Sequence, residues 1–145
     1  MKKFTAILLI SLGVSCQNNS AKHAGELAKN DVGTPKFEFQ EEFHNFGSLE
    51  AGEVVSFSFQ FTNIGDGNLK IEKVDTDCGC TEVHFPKEEI APGQTGSIEV
   101  LFNSSGETGN SLKEIEVYAN TSNSPKKLRI GATVKNEIIN LYSKN

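Results

Sequence analysis

From Val54 to Asn63 the chain reads VVSFSFQFTN. Large apolar side chains take every second position: Val55, Phe57, Phe59 and Phe61 on one side, with Ser56, Ser58, Gln60 and Thr62 on the other. A period of two is that of a β-strand with one buried face and one face in water. The alternation recurs at Leu69 and Ile71, at Ile98, Val100 and Phe102, at Ile115, Val117 and Ala119, and at Leu128, Ile130, Ala132 and Val134. Between these runs lie NIGDGN at 63–68, APGQTG at 91–96, NSSGETGNS at 103–111 and NTSNSP at 120–125. Such clusters of Gly, Pro, Asn and Ser break regular structure and mark turns. No stretch beyond residue 36 carries a convincing helical period. With FEFQEEF at 37–43 and TEVHF at 81–85, the pattern predicts about seven short strands in an all-β, immunoglobulin-like sandwich. The chain has no tryptophan to fill the centre of such a core, so Phe57, Phe59 and Phe61 are expected to take that volume.

The alternation slips once. Leu69 and Ile71 are odd-numbered, whereas Val74, Thr76, Cys78 and Cys80 are even. A one-residue slip sends side chains to the opposite face, so a bulge or a change of sheet is expected near Lys73.

The first sixteen residues, MKKFTAILLISLGVSC, follow a different rule: two lysines, an apolar run from Phe4 to Val14, then small residues before Cys16. This is the layout of an export signal, and the run is too short for the roughly 20 residues of a membrane-spanning helix. The small residues before Cys16 resemble the lipobox of bacterial lipoproteins, although Gly13 stands where leucine is usual and Leu12 lies one place early. The resemblance implies cleavage after residue 15 and acylation of Cys16, with enough acyl chains for stable anchoring. It also implies an outer-membrane destination, because Gln17 follows where some inner-membrane lipoproteins carry aspartate. Residues 16–36 are polar, with nothing to bury, and are expected to form a disordered tether that includes His23. The folded domain is then expected over 37–135, with 136–145 as a C-terminal tail. The formal net charge of −5 becomes more negative without Lys2 and Lys3, so the mature chain is a poor ligand for nucleic acid.

Two cysteines remain, in DTDCGCTEVHFP at 75–86. Too few for a disulfide framework, they leave hydrophobic packing to hold the domain together. On a regular strand Cys78 and Cys80 would lie about 6.5 to 7 Å apart, at the limit of disulfide geometry, and Gly79 is expected to bend the chain through a positive φ if the bond forms. Thiols packed in a strand or turn, a metal site and a redox centre stay open beside the disulfide. Two thiolates suit Cu(I), or zinc within a fuller set. His84 is the nearest third ligand, but it would lie roughly 13 Å from Cys80 along a strand. Asp66, Asp75 and Asp77 lack the ligand spacing of a calcium loop. No phosphate loop, HExxH helix or GxSxG elbow is present.

Five blocks in order, FHNFGSLEAGE, FSFQFTNIGDGNLKI, CGCT, IAPGQTGSIEVLF and IEVYANTSNSPKKLRI, resemble the bacterial family called domain of unknown function 1573. The resemblance covers roughly residues 37–135. It implies an immunoglobulin-like module related to PapD-like and major-sperm-protein sandwiches, common as lipoproteins in Bacteroidetes-type bacteria, with no assigned activity and no catalytic residues. Asn45 stands where that family often has aspartate. The expected protein is therefore a non-catalytic envelope lipoprotein that needs no cofactor, is membrane-bound through Cys16 and binds a protein or peptide partner. The rival is a thiol-redox or Cu(I)-handling protein using Cys78 and Cys80.

Overall fold

The sandwich forms because each strand has one apolar face, and two such faces exclude water only when packed together. The computed structural model describes residues 33–136, within the compact unit Asp31–Asn145. The expected signal segment 1–15, Cys16, His23 and most of the expected tether and tail lie outside the described residues. Eight strands follow in order: β1 (Phe37–Phe39), β2 (Phe43–Glu50), β3 (Val54–Asn63), β4 (Ile71–Thr76), β5 (Thr81–His84), β6 (Thr95–Asn103), β7 (Gly109–Ala119) and β8 (Lys126–Lys135). One sheet runs β1-β3-β6-β5 and the other β2-β8-β7-β4. All pairings are antiparallel except β2 with β8.

Eight strands form where about seven are expected, because one apolar run divides. FEFQEEF is not one strand: Phe37–Phe39 pair with β3, and after Gln40 the chain crosses to pair Phe43 with Arg129 in the other sheet. FHNFGSLE escapes a period-two reading because the register shifts between Asn45 and Ser48. There Gly47 adopts φ 76° and its N–H donates to Asn45 Oδ1 at 2.9 Å. The shift moves the inward positions from His44 and Phe46 to Leu49.

The alternating apolar residues form the core. Phe59, Phe61, Leu69, Ile98, Val100, Phe102, Ile115, Val117, Leu128 and Ile130 are essentially inaccessible to solvent. Phe59 and Phe61 take the volume expected of them, whereas Phe57 and Val55 are only half-buried. The slip near Lys73 is a register shift between Ile71 and Lys73.

The two ends of the sandwich differ. At one end residues 34–36, which sequence alone assigns to the tether, are bound to the β3–β4 loop: Thr34 N–H donates to Asp66 Oδ1, Asp66 N–H to the Thr34 carbonyl and Ile64 N–H to the Lys36 carbonyl. Asn63, fully buried at the end of β3, ties this end together. Its amide donates to the carbonyls of Gly67 and Ile90 at 2.8 and 2.9 Å, and its Oδ1 accepts from Lys36 and Gly65 N–H. Gly65 packs so closely on the Thr34 carbonyl that a Cβ has no room there. At the other end Ser104 is buried, donating its hydroxyl to the carbonyls of Glu50 and Glu53 and accepting from Gly52 N–H.

Candidate functional site

The cysteines sit at this second end. β4 stops at Thr76, and only four residues, Asp77–Cys80, cross from the edge of one sheet to the edge of the other. Three hydrogen bonds pin the crossing: Thr76 Oγ1 donates to the Cys78 carbonyl at 3.1 Å, Glu114 N–H to Asp77 Oδ2 at 3.2 Å, and Asn103 N–H to the Cys80 carbonyl at 2.9 Å. The strand therefore does not run on through the cysteines. The turn brings their Cα atoms to 5.3 Å, and a disulfide joins them. Gly79 does not take the positive φ expected of it, and a Cβ there would meet nothing within 4 Å. Both cysteines are half-buried, and the buried Thr81 hydroxyl lies 3.5 Å from Cys78 Sγ and 3.8 Å from Cys80 Sγ.

The surroundings are acidic. Asp75, Asp77, Glu114 and Glu116 line a depression on one side of the turn, and Glu82, with Val54 and Leu101, a shallower one on the other. Such a neighbourhood disfavours a thiolate, the reactive form of cysteine. Part of this charge is balanced: Lys127 pairs with Glu114 and Glu116, and Lys73 with Asp75 at 2.6 Å. Hydrogen bonding to those carboxylates, Glu114 before Glu116, raises the Lys127 pKa. The Tyr118 hydroxyl is raised above its ordinary value, chiefly because it donates to Glu116.

His84 is not gathered into this cluster. It ends β5, its side chain largely exposed, with Nε2 3.4 Å from Glu82 Oε1. Among the described residues no three His, Cys, Asp or Glu side chains are arranged to hold a metal ion. Asp66, Asp75 and Asp77 serve three separate contacts, with Thr34 N–H, Lys73 and Glu114 N–H.

A second feature has no local signature in the sequence. Where the chain passes from β1 to β2, the sandwich has a seam between β2 and the first half of β3. His44 reaches across it and stacks on Phe57, the centroids 3.7 Å apart and the planes 7° from parallel. Phe46 stands edge-on to His44 at 4.9 Å. All three rings are half-buried. The adjacent aromatics in FHNF were the available signal, but their facing partner lies on another sheet.

Among known structures, a protein of unknown function from Porphyromonas gingivalis W83 is similar, with a TM-score of 0.63, 18% identity and coverage of 75% of this chain. The chain spans about half of that protein (51%). The PapD-like domain 7 of human CEP192 is similar over 81% of this chain and 96% of its own length, with a TM-score of 0.58 and 11% identity. The Vibrio cholerae VesB protease matches over 69% of this chain and 32% of its own, with a TM-score of 0.54 and 19% identity. At these identities the likeness is one of fold. No curated protein matches the chain. A family described as "Protein of unknown function (DUF1573)" matches residues 37–134, the span of the sandwich. That match, which spans more than half of the chain, establishes that the chain belongs to the DUF1573 family.

Proposed function

We propose that this protein is a non-catalytic binding or assembly module, held at the bacterial envelope, on the outer membrane, by a lipid on Cys16, and that it recognises a segment of another protein. The observation that carries this reading is the openness of both sheets. Each ends on edge strands whose outward backbone groups have no partner strand among the described residues, and an open edge can take an extended peptide as a further strand. PapD-like architecture supports the reading by analogy of fold alone. The layout is suited to it as well: the preceding chain joins the domain beside Asn63, while the CGC turn lies at the opposite end of β3. Ten residues of strand separate the two ends, about 30 Å.

The half-exposed disulfide favours a second reading, thiol exchange or Cu(I) binding by the reduced pair. The surrounding carboxylates and the distant position of His84 place it second.

In-cell cross-linking with identification of captured proteins tests the first reading. It expects one envelope protein captured through the domain and lost when the sandwich is unfolded by Phe59→Asp. Recovery of lipid-layer neighbours alone, in equal yield from the unfolded variant, overturns it.

A further inference from the structure

Resting on the binding-module reading, we propose that the recognition edge is the first half of β3, and that its ligand is an extended segment alternating basic and apolar residues. β1 covers β3 only from Phe61 to Asn63, with one further bond at each end, from Gln40 N–H to the Gln60 carbonyl and from Ile64 N–H to the Lys36 carbonyl. Bonding groups on an antiparallel strand alternate between its two neighbours. Since Gln60 and Ile64 bond toward β1, Ser58, Ser56 and Val54 direct their N–H and C=O groups the same way, past the end of β1. Nothing among the described residues pairs with them there. The other side of β3 is fully engaged by β6, from Val54–Asn103 to Thr62–Thr95.

The side chains tell the same story. The inward face of β3 stays apolar down to Val55, yet burial falls from complete at Phe59 to partial at Phe57 and Val55. A strand added in line with β1 puts its inward residues beside Phe57 and the stacked His44, completing that face, while its outward residues lie beside Ser56 and Ser58. This accounts for one apolar residue in two.

Charge supplies the rest. From Phe37 to Asn63 the chain holds five glutamates and no lysine, arginine or aspartate. Glu42 is paired, with Lys126 at 2.6 Å. Glu38, Glu41, Glu50 and Glu53 make no ion pair among the described residues. Unbalanced charge of one sign at an interface selects a partner of the other sign and speeds encounter.

The test uses the full chain carrying Cys16→Ser and a fluorescent peptide of alternating valine and lysine. Two controls are the same residues in block order and an alternating valine–glutamate peptide. The alternating lysine peptide is expected to bind, to slow amide exchange at Ser56 and Ser58, and to dissociate as salt is raised. Ser56→Pro removes one outward N–H at an edge position that tolerates proline and is expected to weaken binding by about tenfold or more, a loss of at least about 1.4 kcal/mol, whereas Ser56→Ala binds as the parent does. If Ser56→Pro lowers the melting temperature, the exchange pattern of the unsubstituted chain decides. Protection confined to β4 or β5, equal binding of the block-ordered peptide, or no binding of the alternating lysine peptide overturns the assignment. A cellular partner cross-linked at another edge overturns it too, but leaves the binding-module reading standing. Absence of any cellular partner removes that reading, whatever the peptide does.

Discussion

The imidazole of His44 lies flat on the ring of Phe57, one residue from each sheet, at a centroid distance of 3.7 Å. This contact spans the seam where the chain passes from β1 in one sheet to β2 in the other, and it is half-exposed where the rest of the core is closed. A graded effect of truncation along β3 follows. Phe59→Ala, at a fully buried position, should destabilise by about 3 to 5 kcal/mol. Phe57→Ala should cost less, about 1 to 2 kcal/mol, because less surface leaves water there. Ser58→Ala, on the outer face, should stay within about 0.5 kcal/mol. Chemical denaturation orders the three, and an equal effect of Phe57→Ala and Phe59→Ala would contradict the open seam.

Asn63 is polar, fully buried and bonded to four backbone groups from three segments. Asn63→Leu keeps the volume but strands those groups, each costing about 1 to 3 kcal/mol when left unpaired. A loss of several kcal/mol is expected, with faster amide exchange at Lys36 and Gly65. A melting temperature like the parent's would show that water replaces the amide without cost.

Stability should fall in acid through Glu107. Its carboxyl accepts from Lys113 at 2.9 Å and from Ser111 at 3.1 Å, and the lysine bond, before the serine one, holds its pKa below the ordinary 4.5. A carboxyl whose pKa is lower folded than unfolded stabilises the fold above the unfolded value, and the gain disappears as pH falls through the folded one. Glu107→Gln should therefore lower stability near neutral pH by up to about 1 kcal/mol and converge with the parent in acid well below the ordinary carboxylate range. Urea melts at both pH values check this, and a difference that persists in acid would assign the effect to packing.

The disulfide closes a very short ring, so chain entropy assigns it only about 1.5 kcal/mol. The Cys78→Ser, Cys80→Ser double variant should fold, lose about that much stability and keep its partner. Gly79→Ala should be silent, because a Cβ there meets nothing within 4 Å. Stoichiometric Cu(I) held by the reduced parent against a strong chelator, and lost in the double variant, would promote copper handling above the binding role.

Cys16→Ala should lose incorporation of labelled fatty acid and the partition into detergent that the parent is expected to show. Equal labelling of both proteins would remove the proposed anchor.

The sequence by itself determined the fold class, most strands and which face of each is buried. That information is local: a period of two places Phe59, Ile98, Val117 and Ile130 inward whatever their partners are. It also determined the slip near Lys73, which shows as a change of parity within a few residues. Tertiary structure decided what depends on pairing between distant residues. Phe43 meets Arg129 and Val54 meets Asn103, so the switch of sheets after Gln40, the eighth strand and the seam at His44 and Phe57 have no local signature. It also decided the cysteines. A regular strand would hold them near the limit of bonding, but bonds from Glu114 and Asn103 fold Asp77–Cys80 into a turn and bring their Cα atoms to 5.3 Å. Those donors lie more than twenty residues away in sequence, beyond the reach of any periodicity.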